Sequence, residues 1–383
     1  MKKIFFLLIL LVITSCGNDK VKTNKKEIGF KEVEKLGYDL QEAYVYEDIE
    51  GINLLYDKYS LAKRFLIKTS KKNVFEFNKG FYIGFSRDFN FGKILNEEKK
   101  NGSSYEFVKF YKDDDSKYHL LFRFFGDNGI NYHDHLVNSI NNEAKIIDTY
   151  NFTSGENISD SYRTIYKSAL YGSNFLTNDI NKSRFVKDMA KLKRIQKLNS
   201  LGKYDKALKL YQSISNTSKQ EKIYKLINIS ISSNISLEQY EKALKDYEDK
   251  YPNDPSIQLI SIDKYIIKKE YDKSLNAINK LDSLVKGDTF LNYMRANVYV
   301  LKKDFTSAIE NYEFIKREYP QFIDSYDSLL ALYIERKNNN KALDILKTIN
   351  SNFEVSKEEI KTNLKQNYPN FYRVKEVQHW FNI

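Results

Sequence analysis

The chain carries one cysteine and four histidines in 383 residues, so groups able to do nucleophilic, acid–base or metal chemistry are few. Cys16 closes a short block made of Met1-Lys2-Lys3, an apolar run from Ile4 to Ile13, and Thr14-Ser15. A basic start, a short apolar run and small residues read as a secretory signal over 1–15. The run is too short to cross a bilayer, which takes about 20 apolar residues. A thiolate is the side chain most readily alkylated near neutral pH, and Cys16 is the one position that could supply it. His133 and His135 stand two apart on an expected strand, so both point to one face and with a carboxylate could begin a metal site. Asp134 points to the other face and no third ligand is near, so no metal is assigned and a hydrogen-bonded pair is expected. Arg123 lies between Leu121 and Phe125 on one strand face, either snorkelling from a half-buried sheet or set in a pocket to hold an anion.

The block ending at Cys16 resembles a bacterial lipoprotein signal, in which that cysteine becomes the lipid-modified first residue. The resemblance implies several acyl chains on Cys16, and at about 0.8 kcal/mol per buried methylene more than one chain gives lasting membrane attachment. It also implies a bacterial envelope location. Gly17 stands where some such lipoproteins carry an inner-membrane aspartate, so the outer membrane is favoured over the inner. Residues 16–28 are polar and aperiodic, as a flexible tether would be. Loss of Lys2 and Lys3 lowers the net charge from +11 to +9, still basic. Lysines interleave with Glu and Asp along the helical stretches, as on solvated faces, so nucleic acid is not expected as a partner.

No phosphate-binding glycine loop, serine elbow or zinc-protease helix is present, so no cofactor is implied and no enzyme is expected. Asp113-Asp114-Asp115 lacks the alternation, glycine and distal glutamate of a calcium loop and reads as a solvated hairpin turn.

Internal repetition organises the second half. The segments Lys203–Leu208, Gln239–Leu244, Glu270–Leu275, Asp304–Ile309 and Asn338–Leu343 align, with small residues at 207, 243, 274, 308 and 342. Tyr211, Tyr247 and Tyr312 follow three of these by four positions, and Ala296, Tyr299, Ala308, Tyr312 and Pro320 mark the fullest unit. A spacing near 34 with these residues resembles the tetratricopeptide (TPR) repeat. The resemblance implies a TPR-like, all-α superhelical solenoid over 183–350 that binds a protein or peptide partner, with 351–383 as capping helices and Trp380 over the open end. Asp254-Pro255, Ser236 with Gln239, Ser356 with Glu359, and Asp288 supply helix starts.

Residues 29–172 read as an α+β domain. Leu55, Tyr59, Ala62 and Leu66 space as a helix. Strands are expected at 74–77, 81–85, 105–111, 119–125, 130–137 and 145–152, with a turn at Gly126–Gly129, and Tyr162, Ile165, Tyr166, Ala169 and Leu170 return to helical spacing. A helix followed by a curved antiparallel sheet over about 45–155 resembles the nuclear transport factor 2-like superfamily, which implies a cone that can hold a pocket.

The leading expectation is a membrane-anchored scaffold that binds protein through its repeats. The alternative is a small-molecule-binding or enzymatic lipoprotein that uses Arg123, His133 and His135 in a pocket of the first domain, which requires the three to converge on one cavity.

Overall fold

The computed structural model describes residues 28–126, 129–172, 180–252 and 254–382. The signal block, Cys16 and nearly all of the tether lie outside the described residues, as do Asp127 and Asn128 of the expected turn.

Five helices open the described chain: α1 (Phe30–Val45), α2 (Ile49–Leu54), α3 (Lys58–Phe65), α4 (Lys72–Asp88) and α5 (Phe91–Lys100). The strands β1 (Ser104–Lys112), β2 (Tyr118–Gly126), β3 (Gly129–Ile140), β4 (Glu143–Asn151) and the two-residue β5 (Glu156–Asn157) then form one antiparallel meander in order 1-2-3-4-5. Helix α6 (Ile158–Gly172) closes the unit.

Two expectations change here. The runs 74–77 and 81–85 are not strands but lie within α4. Val74, Phe77, Phe81 and Phe85 repeat every three or four residues and pack together into the core, so helical period overrides the strand preference of aromatic and β-branched residues. The helix expected from Leu55 is broken: Tyr56 forms a bridge to Ile146, and Asp57 restarts the helix by accepting from the Ser60 amide at 2.8 Å.

The described residues of the second half form five helix pairs: α7 (Ile180–Ser200) with α8 (Tyr204–Gln212), then, after the single turn α9 (Asn216–Lys219), α10 (Lys222–Ser232) with α11 (Leu237–Lys250), α12 (Ser256–Ile267) with α13 (Tyr271–Leu284), α14 (Leu291–Lys302) with α15 (Phe305–Glu318), and α16 (Ile323–Glu335) with α17 (Asn339–Asn352). The repeat residues do what their size suggests: Ala207, Ser274, Ala308 and Ala342 have no exposed surface and Ala243 is buried, so each second helix closes on its partner. Tyr211, Tyr247 and Tyr312 are buried beside them. The stack ends in α18 (Lys357–Asn367), α19 (Pro369–Tyr372) and α20 (Lys375–Trp380). Ser356 and Glu359 cap α18 reciprocally, and Trp380 packs on the terminal core.

The sheet is covered on both faces. Tyr105, Phe107, Leu120, Phe122 and Phe124 pack against the helices of the first unit. Leu121, Phe125, Ile130, Tyr132 and Phe152 point the other way and share a core with residues of α12–α15 such as Ile262, Leu281 and Leu291, and with Phe290 just before α14. The α+β unit and the middle of the helical stack therefore bury apolar surface on each other.

Candidate functional site

Because side chains alternate along a strand, the three candidate residues of the sheet separate. In the β2–β3 register His135 faces Leu120, His133 faces Phe122, and Arg123 faces Tyr132. The histidines thus lie on the helix-covered face and Arg123 on the face toward the stack. The three do not meet in one cavity.

His133 and His135 belong to a buried chain whose proton positions follow from its ends. Asn151 Oδ1 accepts from the backbone amides of Thr153 and Ser154, at 2.9 and 3.1 Å, which fixes its amide so that Nδ2 donates to His133 Nε2 at 3.1 Å. His133 then carries its proton on Nδ1 and donates to the Tyr105 hydroxyl at 3.1 Å. Tyr105 in turn donates to His135 Nε2 at 2.6 Å, and His135 Nδ1 donates to Thr149 Oγ1 at 2.7 Å. Tyr56 shares its hydroxyl with Thr149 at 2.7 Å. Burial pushes the His133 imidazole down to about 4, and burial followed by its neighbour His133 holds His135 well below the ordinary range. Both rings are neutral and hydrogen-bonded at both nitrogens. Among the described residues no group of three His, Cys, Asp or Glu could hold a metal ion.

His133, Thr149 and Asn151 also line a cleft of about 600 Å³ between α4, α5 and the ends of β3 and β4. Its walls include Phe89, Phe91, Phe124 and Tyr162, with Ile94 at the rim. Asp88, Glu98 and Glu156 are its acidic residues. Burial, and then the charge of Asp160, raises the Glu156 carboxyl to about 7. Neither Glu98 nor Glu156 was singled out by sequence, because their meeting depends on a helix and a two-residue strand 58 positions apart.

Arg123 is the centre of the junction with the stack. Its Nη1 donates to Asp288 at 2.8 and 3.0 Å, Nη2 pairs with Glu106, and the guanidinium sits 4.0 Å from the centre of the Phe290 ring. Asp288 also accepts from the Tyr132 hydroxyl at 2.7 Å and the Phe290 amide at 3.0 Å, so it serves as the start signal of α14 while binding the sheet. Burial works against the charged guanidinium, but Asp288 and Glu106 outweigh it and raise the Arg123 pKa. One repeat earlier, Asp254 has the same set of partners: it accepts from the Ser256 amide at 3.0 Å and the Tyr150 hydroxyl at 2.9 Å, and pairs with Lys222. Burial opposes its charge, yet bonds from Lys222 and Ser256 hold its carboxyl below the usual range. Asp134, on the same sheet face, accepts from Tyr111 at 2.6 Å and contacts His119 at 2.8 Å. Asp113, in the hairpin turn, accepts from the Lys117 amide at 2.8 Å.

No family model matches this chain, and no curated protein matches it. Among solved structures, a mutant of MamA aligns at 13% identity, covering 45% of this chain and 96% of that one with a TM-score of 0.36. MamA AMB-1 aligns at 12% identity, covering 46% and 97%, with a TM-score of 0.36.

Proposed function

We propose that this protein is a lipid-anchored interaction scaffold, held at a bacterial outer membrane through Cys16 and binding a partner protein through its TPR-like helix pairs. The observation that carries the partner half is a set of unpaired carboxylates on the first helices of the pairs. Asp263 on α12 and Asp324 and Asp327 on α16 are exposed, yet burial by surrounding protein raises each carboxyl. None has a hydrogen bond or ion pair with a described residue. Exposed carboxylates left without a cation in a chain of net charge +11 suit lysine or arginine side chains of a partner.

The stack already holds one protein surface in this manner. Asp254 and Asp288, 34 positions apart, take the sheet's Tyr150 and Tyr132. The non-catalytic reading is supported by two neutral histidines with both nitrogens occupied and by an arginine committed to Asp288. The helices packed on one face of the meander support the likeness to the nuclear transport factor 2-like superfamily as the origin of the first unit.

The anchor rests on the sequence around Cys16. Among the described residues no helix is long and apolar enough to cross a membrane. Two experiments test the two halves. Cys16→Ser should move the protein from membrane to soluble fractions and abolish incorporation of a labelled fatty acid; unchanged membrane recovery overturns the anchor. Cross-linking of the wild-type protein in detergent-solubilised envelopes should recover a specific partner, and Asp263→Asn with Asp324→Asn and Asp327→Asn should lose it at high and low salt alike. Equal recovery by the triple variant overturns the assignment of the partner surface.

A further inference from the structure

The cleft beside His133, of about 600 Å³, has a lining unlike the rest of the chain. The sequence has 62 lysines and arginines against 51 acidic residues, yet among the described residues that line the cleft there is no lysine or arginine, while three carboxylates are present. Asp88 is exposed and already paired with Arg87 at 2.7 Å. Glu98 and Glu156 have no ion pair with a described residue; the one hydrogen bond to the Glu156 carboxylate comes from the Ser161 hydroxyl, at 3.3 Å. Between them stand aromatic walls, with Phe89 and Phe91 each 4% exposed.

We infer that this cleft binds a small organic cation, a protonated amine on an apolar body of about the size of one aromatic ring. The cavity volume is in the range of small-molecule sites, which are mostly apolar with a few convergent polar groups. A carboxylate in such a place lacks the solvation it has in water, and a cation that enters restores it. Aromatic walls attract the same charge by cation–π interaction, as the Lys58 ammonium already does 5.8 Å from the centre of the Phe89 ring. An anionic ligand would meet three carboxylates and no cation in the lining, because the one imidazole present, His133, is neutral; the positive charge that acts on Glu156, Lys222, is already paired with Asp254. Asn131, Asn151 and Thr149 have most of their bonding capacity committed within the protein, Asn131 Nδ2 to Asn151 at 3.2 Å and Thr149 to Tyr56 and His135. Few donors remain free for a polyhydroxylated ligand. Bound amine also favours the ionised form of Glu156, so binding releases protons near pH 7 and strengthens as pH rises through that region.

The probes are phenethylamine and phenylacetate, which share a body and differ in the sign of charge, titrated into the full chain and followed by ligand-observed NMR and calorimetry. The amine should bind saturably in the millimolar range or better and at least about ten-fold more tightly than the acid, a difference of about 1.4 kcal/mol. Glu98→Gln with Glu156→Gln should erase most of that preference. Ile94→Lys, at a rim position 54% exposed and so tolerant of substitution, should weaken the amine while leaving the fold intact by circular dichroism. Binding of the acid as tightly as the amine, absence of saturable amine binding, or amine binding indifferent to both variants overturns the inference.

Discussion

Replacing Asp288 by asparagine isolates the charge at the junction between sheet and stack, because asparagine keeps Oδ1 for the Phe290 amide and its Nδ2 can donate to the Tyr132 hydroxyl, which in the wild type donates to Oδ2. The Arg123 and Asp288 side chains are 3% and 1% exposed, so neither charge has water to fall back on. With Asp288→Asn the guanidinium is left with Glu106, whose side chain is 44% exposed, and its Nε already lacks a partner among the described residues. Breaking a buried pair in this way costs about 3–5 kcal/mol, or roughly two to nearly four powers of ten in the docking equilibrium at about 1.4 kcal/mol per decade. Arg123→Met with Asp288→Asn removes both charges and keeps an apolar chain under Phe290, so most of the loss should return, since apolar replacement of a buried pair is often near neutral. Urea unfolding by circular dichroism, with hydrogen exchange at the amides of β2 and α14, reads both quantities. The single variant should expose both elements together well below the midpoint for the rest of the chain. A cost under about 1 kcal/mol, or a double variant no better than the single, would refute the reasoning that this ion pair fastens the two units.

Three further outcomes follow from the first unit. Tyr105→Phe removes the hydroxyl between His133 and His135, leaving a buried donor and a buried acceptor without partners, and should cost about 2–4 kcal/mol by urea unfolding; a loss below about 1 kcal/mol would show that the chain of bonds is dispensable. The two histidines whose pKa is depressed contribute stability that is present above the ordinary imidazole value of 6.5 and lost as pH falls below it, for His133 toward about 4 and for His135 in the same direction. Glu156, raised to about 7, acts in the opposite direction, so the test belongs in a Glu156→Gln background, where stability should fall by up to about 1.4 kcal/mol per pH unit for each histidine. A urea midpoint unchanged between neutral and mildly acid pH counts against neutral histidines. Gly37→Ala should destabilise even though alanine is the better helix former by about 1 kcal/mol, because an added Cβ would stand 2.5 Å from Phe107 on β1; a rise in melting temperature would mean that α1 can move off the sheet.

What the sequence revealed is what local repetition can encode. Small residues at 207, 243, 274, 308 and 342 fix where helices approach each other, and the chain places all five in buried contacts. The four long strands of the meander follow from alternation, as does the placement of Asp134 opposite His133 and His135. Helix α4 was missed because its composition argues for a strand while its period argues for a helix. Val74, Phe77, Phe81 and Phe85 show that period should take precedence once an apolar stretch exceeds about ten residues. Helix α1 carries Val33, Leu36, Leu40 and Tyr44 at the same spacing, a signal that was present but lay ahead of the expected first helix. Glu98 and Glu156 become a pair only through the fold.

Arg123 shows most plainly where a single sequence stops. Both readings available from its neighbours, a snorkelling side chain or an anion pocket, take the sheet as a free surface. The actual anion is Asp288, 165 residues away, and it could be recognised only by knowing that the repeats return to this sheet. The repeat itself then explains why the junction has two fastenings. Tyr150 stands opposite Asp134 on the adjoining strand, so Tyr132 and Tyr150 form a diagonal pair on one sheet face, roughly 7–8 Å apart at the backbone. One repeat step carries the aspartate from position 254, at the start of α12, to 288, at the start of α14. The two tyrosines of the diagonal thus reach the starts of the first helices of two successive pairs. Each aspartate is held ready as an acceptor by the amide it already caps. A position shared by both repeats, first read as a local helix signal, thus also sets the register in which the sheet lies along the stack.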